Sequence, residues 1–286
     1  MQTVLVTGSK GQLGNEVQVL ASSYSQFEFI FTDVEELDIC DRKAVENYFA
    51  KRKIDVLLNC AAYAAVDKAE EDVELCYRIN EKAVGILGEI AAEYGTRVVH
   101  VSTDYVFDGT SYRPYTEDMP VCPATVYGKS KLAGEQLLMD ACPAAVIVRT
   151  SWLYSSFGNN FVKTMMRLGK ERGTLNVIFD QVGTPTYAAD LADTLLQIIS
   201  ADKFVPGIYH YSNEGVCSWY DFTISIHKMA GINCRVLPIE SKDYPAKTPR
   251  PHYSVLNKNK IKSNYNIQIS HWEDGLRRCM DILTEK

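Results

Sequence analysis

Three glycines, Gly8, Gly11 and Gly14, follow the β-branched run Thr3 to Val6 and open an amphipathic segment from Gln12 to Ala21. This strand, glycine-loop, helix order constrains the chain more than any other feature in it. Gly8 permits a tight turn, Gly11 lets backbone approach a pyrophosphate, and Gly14 lets the helix sit close to the strand. A bound anion then lies at the positive end of that helix. Gly8, Lys10, Gly11, Gln12, Leu13 and Gly14 are therefore the candidate contacts of a dinucleotide.

The rhythm continues. Phe27 to Thr32 reads as a strand, Arg42 to Lys51 as a helix capped by Asp41, and Asp55 to Asn59 as a strand. A helix from Val73 to Tyr94, stopped by Gly95, leads into strand Arg97 to Ser102; a helix from Val126 to Met139 leads into strand Ala145 to Thr150. Strands joined by helix-length crossovers make a parallel sheet covered on both faces. The expected fold is α/β, a Rossmann-type doubly wound parallel sheet with a smaller C-terminal substrate-binding lobe. Residues 1–150 form the dinucleotide-binding unit. A helix at Phe161 to Lys170 follows, then a strand at Leu175 to Ile178 and a helix at Ala188 to Ser200, with 175–211 expected to return to the sheet. Residues 151–174 and 212–286 are the expected substrate lobe, with helices at Trp219 to Met229 and Trp272 to Leu283.

Composition narrows the function classes. Of 286 residues 46% are hydrophobic and 23% charged, which suits one large soluble core and excludes disorder. Thirty basic against thirty-six acidic residues give a net charge of -6 with the signs interspersed, so a nucleic-acid surface is not expected. No run reaches the roughly eighteen apolar residues of a membrane helix, and no export signal opens the chain, so the cytoplasm is the expected location. The eight cysteines are scattered singly and the five histidines are dispersed, without metal-ligand spacing; no metal is expected.

Two acidic positions bear on the cofactor. Asp33 ends the second strand, where a carboxylate accepts ribose hydroxyls, and Asp38-Ile39 precedes the next helix, where it can flank adenine. A carboxylate repels the 2′-phosphate of NADP, whereas Lys10 and Arg42 would attract it, so NADPH and NADH both stay open.

The chemistry is concentrated in Thr125-Val126-Tyr127-Gly128-Lys129-Ser130-Lys131. Tyr127 and Lys131 are four apart and share a helix face. A tyrosine with a pKa near 10 is a poor acid-base group, but a close ammonium stabilises the phenolate and brings it toward the working range. Alone, such a pair also arises from a core tyrosine beside a solvated lysine. Thr103 changes the balance, because it follows the fourth strand at the carboxyl edge and can donate a hydrogen bond to a substrate carbonyl beside Tyr127. Thr103, Tyr127 and Lys131 are the candidate catalytic residues.

With the glycine loop and the Tyr-x-x-x-Lys pair, the chain resembles the extended short-chain dehydrogenase/reductase superfamily. Within it, Asn59-Cys60-Ala61-Ala62-Tyr63, Ser102-Thr103-Asp104-Tyr105-Val106-Phe107-Asp108-Gly109, Arg149-Thr150-Ser151-Trp152 and Asp180-Gln181-Val182-Gly183-Thr184-Pro185-Thr186 resemble the dTDP-4-dehydrorhamnose reductase family. The likeness runs through Arg250-Pro251-His252-Tyr253-Ser254.

The resemblance implies reduction of the carbon-4 ketone of dTDP-4-dehydro-L-rhamnose to dTDP-L-rhamnose by NADPH or NADH. It implies that Tyr127 gives the proton, Thr103 polarises the ketone oxygen, and Lys131 holds the nicotinamide ribose and tunes Tyr127. It places Ala61, Ala62 and Tyr63 along the cofactor channel. Asp104, Phe107 and Trp152 are the sugar-side candidates, and Asn160, Lys163 and Arg250 the diphosphate candidates. Some members pair subunits through Mg²⁺ held by glutamates, one at the position of Glu16; the second falls on Ala189, followed by Asp190, so no bridging metal is expected. The partner is a small nucleotide sugar, and the chain is expected as a monomer or homodimer. The alternatives are a nucleotide-sugar 4-epimerase or dehydratase with tightly bound NAD, and a non-catalytic dinucleotide-binding regulatory subunit. The dehydratase reading lacks a glutamate after Thr103-Asp104.

Overall fold

The computed structural model describes residues 1–284. Its first half alternates strand and helix: β1 (Gln2–Thr7), α1 (Gln12–Leu20), β2 (Phe27–Thr32), α2 (Arg42–Ala50) and β3 (Val56–Asn59). Next come α3 (Val66–Ala69), α4 (Val73–Tyr77), α5 (Ala83–Glu93), β4 (Arg97–Thr103), α6 (Val126–Ala141) and β5 (Val146–Thr150). The second half contains β6 (Leu153–Tyr154), α7 (Phe161–Glu171), β7 (Thr174–Ile178), β8 (Val182–Gly183), β9 (Thr186–Tyr187), α8 (Ala188–Ser200) and β10 (Gly207–Tyr211). It closes with β11 (Cys217–Ser218), α9 (Trp219–Ala230), β12 (Arg235–Ile239), α10 (Asn259–Tyr265) and α11 (Trp272–Thr284).

Six parallel strands form the central sheet in the order β10-β5-β4-β3-β1-β2. Because the chain leaves β1 for β2 on one side and returns to β3 on the other, the strand order reverses between β1 and β3. A ligand crevice opens at that reversal, outside the carboxyl ends. Register brings Thr7 beside Asn59 and Asn59 beside His100, and sets Thr103 beside Thr150. The strands are buried on both faces, which is why they read as apolar runs. Val4, Val6, Val56 and Leu58 face α1 and α8, and Leu5, Leu57, Val98 and Ile147 face α2, α5 and α6. Each such side chain contributes about 1.5–3 kcal/mol by leaving water. Asp41 caps α2 by accepting from the Lys43 and Ala44 amides, as its sequence position predicts.

Two elements depart from the sequence reading. The segment expected as one helix from Val73 to Tyr94 contains a π turn at Arg78–Lys82 between α4 and α5. There the Asn80 side chain accepts from the Tyr63 amide at 2.9 Å and donates to the Tyr63 carbonyl at 3.0 Å, holding the chain beyond β3. The strand Thr174–Ile178 does not join the central sheet: it pairs in parallel with Arg235–Ile239. Its alternating burial, one face on the core of Met165, Phe222 and Trp272 and one face out, suits a two-stranded ribbon rather than a doubly covered sheet. Within 175–211, β8 and β9 likewise pair outside the central sheet, with β11 and β6, whereas α8 packs on α1 and β10 lies beside β5. Among the described residues no helix is long and apolar enough to cross a membrane.

Candidate active site

The glycine loop closes against the end of β3. Gly8 has φ +66°, and a Cβ there would come within 2.6 Å of the Ala61 nitrogen, so only glycine lets the two backbones touch. At Gly14 a Cβ would stand 2.4 Å from the Gly8 carbonyl oxygen, which fixes how closely α1 meets the loop. No side chain caps the first turn of α1, so its amide end is left for an external anion. This cradle fits the pyrophosphate of a dinucleotide. Asp33 stands at its rim, with Oδ2 accepting from the Lys10 amide and Oδ1 from the Val34 amide, both at 2.9 Å. The Lys10 ammonium is paired with Glu35 and Glu36. Asp38 is exposed and accepts from the Cys40 amide, whereas Ile39 is buried in the α2 face of the core.

Ala61, Ala62 and Tyr63 follow β3, and the Ala61 backbone meets the loop at Gly8. The Asn59 Oδ1 accepts from both the Thr7 hydroxyl, at 2.7 Å, and the Ala61 amide, at 3.1 Å. The Tyr63 hydroxyl donates to Asp72 at 2.7 Å.

Thr103, at the tip of β4, and Tyr127, in the first turn of α6, come together across the carboxyl edge. Thr125 caps α6 by accepting from the Gly128 amide at 3.0 Å, and Gly128 sits where a Cβ would strike the Tyr105 carbonyl at 2.3 Å. The helix start is thereby pressed onto the segment that follows Thr103. Tyr105 packs edge-on against Tyr127, with centroids 5.5 Å apart. Burial pushes the Tyr127 phenol above its ordinary pKa, and the nearby Thr103 hydroxyl, which donates to Asp104 Oδ1 at 3.0 Å, pulls it partly back. Lys131 is 1% exposed, and its Nζ donates to the Val101 carbonyl at 2.8 Å and meets His100 Nε2 at 3.3 Å. Among the described residues no hydrogen bond joins it to Tyr127. Burial lowers the Lys131 pKa to about 8.

Beside this set a cleft of about 850 Å³ runs between the central sheet and the second lobe. Asp104 and Tyr105 bound it from β4, Trp152 and Trp219 form one wall, and Arg250 reaches it from the C-terminal segment. Trp152 lies flat on Trp219, donates from Nε1 to the Ser254 hydroxyl at 3.2 Å, and rests on Gly183, where a Cβ would meet its ring at 2.6 Å. It has φ +49°, a left-handed conformation costly for a bulky side chain. Asp104 is buried with Oδ2 unpartnered, and burial raises its pKa to about 7. Arg250 donates from Nη2 to Asp67 at 2.7 Å, while its Nη1 is buried and unpartnered.

Three substrate candidates fall elsewhere. Phe107 is 2% exposed and stacks on Tyr115 at 4.2 Å in a separate apolar cluster, so it does not line the cleft. The 3-10 turn Asp104–Val106 after β4 leaves Asp104 and Tyr105 on the cleft and carries Phe107 into the apolar cluster. Asn160 caps α7 and donates to Gln12 at 2.9 Å, tying that helix to the glycine loop instead of to a diphosphate in the cleft. Lys163, one turn into α7, is also absent from the cleft lining. Sequence reasoning missed Trp219, Tyr105, Asp67 and His100. Trp219 carried a faint signal, an aromatic directly after the helix-capping Ser218. Glu16 accepts from Ser155 at 2.6 Å, and Asp190 is paired with Arg278 and Asn213.

The family model described as the RmlD substrate binding domain matches residues 1–285. The chain is 41% identical over 290 residues to the dTDP-4-dehydrorhamnose reductase of Aggregatibacter actinomycetemcomitans, covering 97% of this chain and 98% of that one. The dTDP-4-dehydrorhamnose reductase of Clostridium acetobutylicum superposes with a TM-score of 0.95 at 42% identity, covering 99% of this chain and all of that one. That of Bacillus anthracis, solved in complex with NADP, superposes at 0.94 with 38% identity, covering 99% and 100%. The chain belongs to the dTDP-4-dehydrorhamnose reductase family.

Proposed function

We propose that this protein reduces the carbon-4 ketone of dTDP-4-dehydro-L-rhamnose to the alcohol of dTDP-L-rhamnose, using a reduced nicotinamide dinucleotide. The observation that carries the reading is the meeting of Thr103, at the tip of β4, with Tyr127, in the first turn of α6, beside the cleft walled by Trp152 and Trp219. The dinucleotide supplies the hydride that goes to the ketone carbon. Tyr127 supplies the proton that goes to the ketone oxygen, and a phenol with a raised pKa keeps that proton at neutral pH until negative charge develops on the oxygen. Thr103 donates to the same oxygen and steadies it. Gly8, Gly11, Gly14 and the start of α1 hold the pyrophosphate; Asp33 takes the adenosine ribose and Lys131 the nicotinamide ribose. The Trp152 face packs on the apolar side of the deoxyhexose, Asp104 accepts a sugar hydroxyl, and Arg250 meets the diphosphate. Residues 1–150 with α8 and β10 carry the dinucleotide, and the ribbons with α7, α9 and α11 carry the sugar nucleotide. We place the enzyme in the cytoplasm.

The test is a single assay. Incubation with dTDP-4-dehydro-L-rhamnose and NADPH or NADH is expected to oxidise one dinucleotide per sugar reduced, and Tyr127→Phe to lower kcat at least a hundredfold with cofactor affinity kept. An epimerase or dehydratase would convert sugar without net cofactor consumption, and a regulatory subunit would convert nothing.

A further inference from the structure

We propose that His100 is a positioning residue for Lys131: Asn59 locks its imidazole with the proton on Nε2, and that N–H, aimed at Lys131 Nζ, favours the uncharged amine of the lysine in the free enzyme. The inference deepens the reductase reading, since it rests on Lys131 belonging to that site.

The orientation of the Asn59 amide is fixed from two sides, because its Oδ1 accepts from the Ala61 amide and the Thr7 hydroxyl. Its Nδ2 must then donate, and the atom it meets at 3.0 Å is His100 Nδ1. A neutral imidazole that accepts at Nδ1 carries its proton on Nε2. Nε2 stands 3.3 Å from Lys131 Nζ. An ammonium there would set donor against donor. An amine accepts from Nε2–H with its lone pair and still gives a proton to the Val101 carbonyl at 2.8 Å. His100 is wholly buried, and burial holds its pKa well below the ordinary value, which disfavours the imidazolium.

The other groups that bear on Lys131 do not supply a counter-charge in contact with it. Cys60 beyond β3 and Cys76 on α4 are held as thiols by burial. Glu135, one turn further along α6, is committed to Arg149, which reaches it at 2.6 Å with both side chains 2% exposed. The π turn bears Asn80, which is neutral and donates to Ser130. Burial lowers the Lys131 pKa, and of the two hydrogen-bonding partners of its Nζ, Val101 O and His100 Nε2, His100 is the one whose donor sense biases the lysine the same way.

Long-range ¹H–¹⁵N spectra of the ¹⁵N-labelled wild-type protein read the tautomer directly. The expected result is a His100 Nε2–H tautomer unchanged between about pH 6 and 8; a protonated Nδ1 overturns the proposal. His100→Gln replaces the locked Nε2–H by an amide that can turn its oxygen toward Lys131 Nζ. The Lys131 titration, read from ¹³Cε-labelled lysine with Lys131→Met to assign it, is then expected to rise by about one unit, a tenfold gain in proton affinity. The matching limb of the kcat/KM pH profile should move the same way. An identical titration in His100→Gln and wild type overturns the proposal. If His100→Gln does not fold, the wild-type tautomer decides alone. Both spectra are taken without substrate, so a failure of sugar reduction would count against the reductase reading and leave this inference standing.

Discussion

Trp152 and Trp219 lie face to face, ring centroids 3.5 Å apart and planes 7° from parallel, so one cleft wall is built from two distant parts of the chain. Trp152 holds φ +49° to do so, at a cost on the order of 1–3 kcal/mol. Gly183 beneath it and Ser254 at its Nε1 keep it there. The wall presents a flat, rigid face to whatever enters.

Trp219→Ala should leave Trp152 without its backing. Such an aromatic pair is worth about 0.5–1.5 kcal/mol beyond its buried area, so KM for the sugar nucleotide is expected to rise roughly threefold to tenfold with kcat nearly kept. Steady-state kinetics with saturating cofactor check this. An unchanged KM would remove the wall from the binding site.

Gly14→Ala addresses the other half of the site. The added methyl would sit 2.4 Å from the Gly8 carbonyl oxygen and 2.5 Å from the Ser9 Cα, both backbone atoms that cannot swing aside. Alpha helix α1 must shift, at about 1–3 kcal/mol of stability by overpacking, and its amide end leaves the pyrophosphate. Thermal unfolding and cofactor titration should show a lowered Tm together with at least tenfold weaker NADPH binding. Loss of stability with cofactor affinity intact would contradict the cradle.

The difference between what could and could not be read from sequence follows range. The glycine loop, the Asp41 cap and the Tyr127/Lys131 spacing are local, so each is legible as residue type at fixed intervals. The inward turn of Phe107 depends on its stacking with Tyr115 and the edge contact of His210, and the fate of Thr174–Ile178 depends on Arg235–Ile239. These are long-range pairings. The hydrogen bonding of Lys131 was hidden for a related reason: helical spacing predicts its nearness to Tyr127, but burial and the Val101 carbonyl decide where its amine points.

Asp104 links the cleft to pH. Burial raises its carboxyl to about 7, above the value of about 3.9 in an unfolded chain. The folded state therefore keeps a proton that the unfolded chain has released, and stability falls as pH rises through that window, by up to about 1.4 kcal/mol per unit. Above it the penalty is complete. Asp104→Asn has no such titration, so its Tm relative to wild type is expected to climb from pH 4 toward pH 7 and then level off. Parallel unfolding curves at every pH would sink the assignment.

Cofactor choice turns on where the Lys10 charge is spent. Its ammonium is paired with Glu35 and Glu36 at the tip of β2, beside Asp33, where the adenosine ribose is proposed to lie. The carboxylates there repel a 2′-phosphate, and they also occupy the cation that would attract one. Glu35→Gln with Glu36→Gln frees Lys10 and removes two negative charges, both on exposed side chains, so folding should be little affected. The expected result is a rise in the NADPH over NADH preference, measured as the ratio of kcat/KM values, of about threefold to tenfold at low ionic strength and less at high salt. An unchanged ratio would mean that the 2′ position lies away from Lys10, and the choice would then have to be sought at Arg42 on α2.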